Sequence, residues 1–172
     1  MKHLLFTCLL AGYGHLFAQN ISLKDLQQAL HTSNKEQLES LLSSKGFNGG
    51  NNIVEVSNSP AKLSFNQVWY FKADKNPDGS IVSEISKNAD SSKPLVKFAT
   101  SNPWFYASLM NQLTESGFQY NQTIAGEKNA IISFTSSNEE LLVVITDQLT
   151  LRNFQFTLRK LSGKEPKTRL RS

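Results

Sequence analysis

Leu38-Glu39-Ser40-Leu41-Leu42-Ser43-Ser44-Lys45-Gly46-Phe47 and Leu109-Met110-Asn111-Gln112-Leu113-Thr114-Glu115-Ser116-Gly117-Phe118 share the pattern Leu-x-x-x-Leu-x-x-x-Gly-Phe, 71 residues apart. Leucines four apart lie on one helix face. A glycine four residues later ends such a helix, because it accepts the left-handed backbone that a Cβ penalises. The Phe after it then packs back on the second leucine. Each copy therefore predicts a helix closed by a Gly-Phe turn.

Working outward, the helix starts are signalled too. Ser33 and Glu36 have capping-box spacing ahead of the first copy, and Asn102-Pro103 places an N-cap before a proline at the first helical position. A further short helix begins at Ser22 and Asp25, with Leu23, Leu26 and Leu30 as its apolar face. After each Gly-Phe the period becomes that of strands. They are expected near Ile53–Val56, Leu63–Ala73, Ile81–Ser86 and Leu95–Thr100, then near Phe118–Ile124, Ala130–Thr135, Leu141–Thr146 and Asn153–Leu161. The segments Phe47–Pro60 and Lys87–Pro94, rich in Asn, Ser and Asp, read as surface loops. The order is helix, helix, four strands, then helix, four strands. It predicts an α+β fold of two helix-then-strands copies, residues 22–100 and 101–161, with helices on one face of a mostly antiparallel sheet.

This layout resembles the tandem architecture of the β-lactamase inhibitor protein family. It is also similar to uncharacterised secreted proteins of the Bacteroidota that carry a leucine-rich helix ending in Gly-Phe. The first resemblance implies an inhibitor or immunity-type role, although the inhibitor family's disulfides have no counterpart here.

The chain opens Met1-Lys2-His3, runs through the apolar Leu4–Ala11, and reaches Leu16-Phe17-Ala18, where a small residue invites cleavage. This is the layout of an export signal over residues 1–18. The run is shorter than the ~20 apolar residues of a spanning helix. The expectation is an exported chain, periplasmic or secreted, that starts at Gln19 and has no transmembrane segment. Losing Lys2 takes the 18 Lys and Arg to 17 against 14 Asp and Glu, a mild positive balance. Losing Cys8, His3 and His15 leaves no cysteine and only His31. Residues 19–161 read as one α+β domain and 162–172 as a flexible basic tail.

Such a composition is poor in catalytic material. His31, at a helix end with no adjacent partner, reads as solvated, and zinc needs more His or Cys ligands than remain. Glu139 and Glu140 flank a strand whose period of two puts Glu139 with Leu141, Val143 and Ile145, and Glu140 with Leu142, Val144 and Thr146. Adjacent glutamates thus point apart, whereas a glycosidase needs two carboxyls on one cleft. They read as turn residues in solvent.

Asp74-Lys75-Asn76-Pro77-Asp78-Gly79-Ser80-Ile81 matches the first eight positions of a calcium loop, with Asp74, Asn76 and Asp78 as oxygen ligands. The closing glutamate of such a loop is replaced by Ile85, with Glu84 one place early, and Asn-Pro-Asp-Gly is a strong turn in its own right. The reading is a hairpin turn with no metal or cofactor.

Trp69, Tyr70, Phe71, Trp104, Phe105 and Tyr106 read mostly as core. Arg152, Arg159, Lys160, Lys164, Lys167, Arg169 and Arg171 read as charges guarding an edge strand and a tail. Nucleic acid is not an expected partner in an exported setting. The functional expectation is a non-enzymatic domain binding a protein or envelope component, with a small carboxylate-dependent hydrolase as the alternative.

Overall fold

The computed structural model describes residues 21–59, 62–73, 83–90, 92–148 and 151–161. The expected leader (residues 1–18), the Asp74–Ile81 motif and residues 162–172 all lie outside the described residues. In chain order the elements are α1 (Leu23–His31), α2 (Lys35–Ser43), β1 (Asn48–Ser59), β2 (Lys62–Lys72), β3 (Ser83–Asn88), β4 (Leu95–Thr100), α3 (Pro103–Glu115), β5 (Gln119–Ala125), β6 (Asn129–Thr135), β7 (Glu139–Gln148) and β8 (Leu151–Lys160).

Both Leu-Gly-Phe motifs close their helices as the pattern predicts. Gly46 has φ 81° and Gly117 has φ 76°. The Phe47 amide donates to the Leu42 carbonyl at 3.0 Å, and the Phe118 amide donates to the Leu113 carbonyl at 3.1 Å. Gly46 and Gly117 donate to Ser43 and Thr114 in the same way, which completes two Schellman turns. Both phenylalanines and both pairs of leucines are buried. At the N-termini, Ser22 and Asp25 form a reciprocal capping box, and Asn102 accepts from the Trp104 amide at 2.9 Å. The expected Ser33–Glu36 box is displaced by one residue. Asn34 is the N-cap of α2, because its Oδ1 reaches the amides of both Glu36 and Gln37.

All eight strands join one antiparallel sheet in the order β1-β2-β3-β4-β8-β7-β6-β5. The order is palindromic about β4 and β8, the last strands of the two meanders, which pair from Leu95↔Arg159 to Thr100↔Phe154. Alternation then sorts the side chains. Phe71, Ile85, Phe98, Phe156, Val143 and Ile132 stand in one cross-strand row on the helix-covered face. A parallel row holds Trp69, Lys87, Val96, Leu158, Leu141 and Phe134.

Phe98 lies at the middle of the core, with Phe47, Phe105 and Phe156 within 6.3 Å between ring centroids. Trp69, Phe71, Phe105 and Tyr106 are core or pack against it, as expected, whereas Trp104 is 83% exposed. Helix α1 contacts β4 and β8 over the junction of the meanders, α2 contacts β1, and α3 contacts β4.

Three expectations are corrected. The strand expected near Ile53–Val56 extends over residues 48–59 of the expected loop as β1, paired with β2 along its length apart from a bulge between Gly49 and Asn51. The ladder to β2 overrides the weak strand preference of Gly and Asn. Strand β3 continues through Lys87, which the sequence assigned to a loop. Strand β8, read as an edge strand guarded by charges, is central, and the edges are β1 and β5.

Candidate functional site

A cleft of about 440 Å³ opens where the C-terminus of α1 meets the Gly117 turn, the β6–β7 turn and the end of β8. Its lining includes Gln27, His31, Ser116, Ser136, Ser137, Asn138, Glu139 and Lys160. Local chemistry places each wall. The β6–β7 turn is closed by the Ser136 amide donating to the Glu139 carbonyl at 2.9 Å. The Leu161 amide donates to the Asn138 carbonyl at 2.8 Å and fastens that turn to the end of β8. Gln27 and His31 are four residues apart on α1 and so face the sheet together.

Glu139 is the centre of this site, and its position corrects the solvated-turn reading. It is 6% exposed, on the helix-covered face in phase with Leu141 and Val143. A carboxylate buried there needs donors. Gln27 Nε2 donates to Oε2 at 2.8 Å, and His31 Nε2 bonds Oε1 at 2.9 Å. Lys160 lies directly opposite Glu139 in the β7–β8 register. His31 therefore has the orienting partner that the sequence did not reveal, across 108 positions of chain. Its side chain remains 53% exposed, so the other ring edge faces the cleft and solvent. Among the described residues no hydroxyl is hydrogen-bonded to His31.

The neighbouring Glu140 points to the opposite face, where it pairs with Arg159. The two carboxyls do not share a cleft, as the alternation of the strand predicted. Among the described residues no group of three or more His, Cys, Asp or Glu is placed to hold a metal ion.

Two further polar contacts fix α1. Lys87, 3% exposed beneath the helix, donates from Nζ to the Leu30 carbonyl at 2.9 Å. Burial pushes the Lys87 ammonium below its ordinary pKa. Asp25 is held by Ser22 and by Lys45 Nζ at 3.1 Å. Burial works to raise the Asp25 pKa, but the hydrogen bonds from Ser22 and the Lys45 charge outweigh it and hold the carboxyl low.

On the uncovered face, the Tyr70 hydroxyl donates to Glu84 beside Ser86, Lys97 and Gln155. Burial, then the Glu84 carboxylate, pushes the phenol of Tyr70 well above its ordinary range. That recess is about 110 Å³, a quarter of the Glu139 cleft.

The sequence missed Gln27, Ser136, Asn138 and Lys160 as site residues. One signal was available for Glu139: a carboxylate in phase with three core positions of a strand must meet a donor from whatever covers that strand. No helix among the described residues is long and apolar enough to cross a membrane. No protein-family model, curated protein or solved structure matches this chain.

Proposed function

We propose that the protein is a non-enzymatic exported domain that binds a protein or cell-envelope component, with the cleft around Glu139 as the point of contact. The leader pattern of residues 1–18 supports export. One observation carries the choice of binding over catalysis. The buried carboxylate of Glu139 is tied to Gln27 and His31, and His31 bonds no hydroxyl among the described residues. A nucleophile activated by a base needs that bond, and a paired-carboxylate hydrolase needs a second acid in the cleft. What remains is a preorganised polar recess on a rigid sheet. The palindromic strand order and the two matching Gly-Phe turns support a further reading, that the halves are two copies of one α+β unit as in the tandem architecture of the inhibitor family.

The test compares immobilised wild type with Ser137→Trp, which places an indole in the cleft from an exposed position. Material retained from the native envelope fraction is weighed and identified. Retention by wild type and its loss in Ser137→Trp is the expected result. Equal retention by both proteins removes the cleft from the proposal. N-terminal sequencing of the same exported protein checks the leader, with Gln19 as the expected first residue and Met1 as the result against it.

A further inference from the structure

We infer that the cleft takes an uncharged, polyhydroxylated ligand, the chemistry of a neutral glycan. This rests on reading the cleft as a binding site, and the argument is one of charge and hydrogen-bond matching. Glu139 presents two oxygens with roughly four acceptor positions, of which Gln27 and His31 occupy one on each oxygen. An acceptor position is left on each. Ser136 and Asn138 both donate and accept, and Lys160 only donates.

A phosphate or carboxylate ligand is an anion, and it would meet the Glu139 carboxylate head on. An ammonium ligand is a donor only, and it would meet the ammonium of Lys160. A hydroxyl does both. Neighbouring hydroxyls of a sugar can donate to Glu139 and the Asn138 amide oxygen while accepting from Lys160 and Ser136.

The size agrees. At about 440 Å³ the cleft falls within the ~300–1,000 Å³ range of small-molecule sites. Glu139 is preorganised, because its rotamer is fixed from two sides before any ligand arrives. Among the described residues no Phe, Tyr or Trp lines the cleft, so their stacking adds nothing and the expected Kd is on the order of 1 mM.

The experiment follows backbone amide signals of the isotopically labelled protein while four probes are titrated to tens of millimolar. They are the tetrasaccharide of N-acetylglucosamine, maltotetraose, inorganic phosphate and a short aliphatic diamine. The expected result is saturable shifts at Ser136, Asn138, Glu139 and His31 with at least one saccharide and with neither ion. Affinity should fall by about tenfold or more in Glu139→Gln, which keeps the shape of the side chain but weakens its acceptors. Ser137→Trp should abolish the shifts, and unchanged signals from Phe98 and Phe156 would show that both variants are folded. Shifts with phosphate or diamine in place of the saccharides overturn the inference, as does the absence of any shift. If the saccharides fail while envelope capture still depends on the cleft, the ligand class is wrong and the binding reading stands.

Discussion

Lys87 offers the sharpest quantitative test of the fold. It stands in the row Trp69, Lys87, Val96, Leu158 on the helix-covered face and is 3% exposed. Among the described residues its ammonium has one hydrogen bond, to the Leu30 carbonyl near the C-terminus of α1. Two opposing terms follow. A hydrogen bond from a charged donor contributes roughly 1.5–3 kcal/mol, and the helix C-terminus favours a cation. Burying the ammonium costs free energy of similar size, which is why its pKa falls below the ordinary 10.5. Replacement by Met, of comparable length and apolar, removes both terms. We expect Lys87→Met to lie within about 1 kcal/mol of wild type at pH 7.

The pH dependence separates this account from mere packing. A lysine whose folded pKa lies below its unfolded value binds fewer protons in the native state. Wild-type stability therefore rises as pH climbs from the folded pKa to 10.5. The gain reaches about 1.4 kcal/mol per pH unit where only the unfolded state is protonated. The neutral amine still donates to Leu30, so the contact survives deprotonation. Tyr70 works the other way, because its raised pKa makes stability fall above about pH 10, but it does so equally in both proteins.

The readout is thus the difference between wild type and Lys87→Met, taken from urea unfolding at pH 7, 9, 10 and 11. At an m-value of about 2 kcal/mol/M, each 1.4 kcal/mol moves the midpoint by roughly 0.7 M. Wild type should gain on the variant as pH rises, until the difference levels near the unfolded pKa. A difference that stays constant from pH 7 to pH 11 would refute the buried, partly desolvated ammonium.

Further predictions concern the two turns and the acidic motif. Gly46→Ala and Gly117→Ala should each destabilise by about 1–2 kcal/mol in urea unfolding. At Gly117 a Cβ meets nothing within 4 Å, so the loss there must come from the left-handed backbone alone. Val should cost more than Ala at both positions, and near-zero changes at both glycines would break the motif argument. For the Asp74–Ile81 segment we expect no calcium-specific rise in melting temperature between chelator and several millimolar calcium, with magnesium as control. A site occupied at about ten times its Kd would add about 1.4 kcal/mol, and a shift lost in Asp74→Ala would restore the calcium reading.

What the sequence made legible is local chemistry with one geometric solution. Gly117 followed by Phe118, Asn102 followed by Pro103, and the alternation through Val96 and Phe98 each restrict the backbone directly, and each gave the observed element. Strand β1 was legible only at Ile53–Val56, because Asn48-Gly49-Gly50-Asn51-Asn52 has no alternation, and only pairing with β2 makes that stretch a strand. The site was hidden for a related reason. Glu139 and His31 meet because α1 crosses the β4–β8 junction, and that crossing is a tertiary fact with no local signature. Their phase alone was readable. Glu139 among Leu141 and Val143, like Lys87 beside Ile85, announces a charge on a core face and leaves its partner unnamed.

These two buried charges tie down α1, the helix that carries no Leu-Gly-Phe motif. The meanders join at β4 and β8, where Phe98 and Phe156 face the helices, and the two Leu-Gly-Phe motifs end only α2 and α3. Helix α1 covers the seam. Nine residues are too few for a stable helix in isolation, so it must be held by what it touches. Leu23, Leu26 and Leu30 contribute apolar burial, each about 1.5–3 kcal/mol. Polar ties set its position along the sheet. The Leu23 amide donates to Gln112 of α3 at one end, Lys45 reaches Asp25 from the α2 turn, and Lys87 and Glu139 hold the other end through Leu30, Gln27 and His31. Apolar packing alone would allow a helix to slide or rotate on a phenylalanine-lined seam, whereas these donors and acceptors match at one register only. The contact that fixes the helix is therefore the contact that builds the cleft. A ligand that engages the free acceptor positions of Glu139 would bind to a group already immobilised by folding, and its affinity would carry little ordering cost.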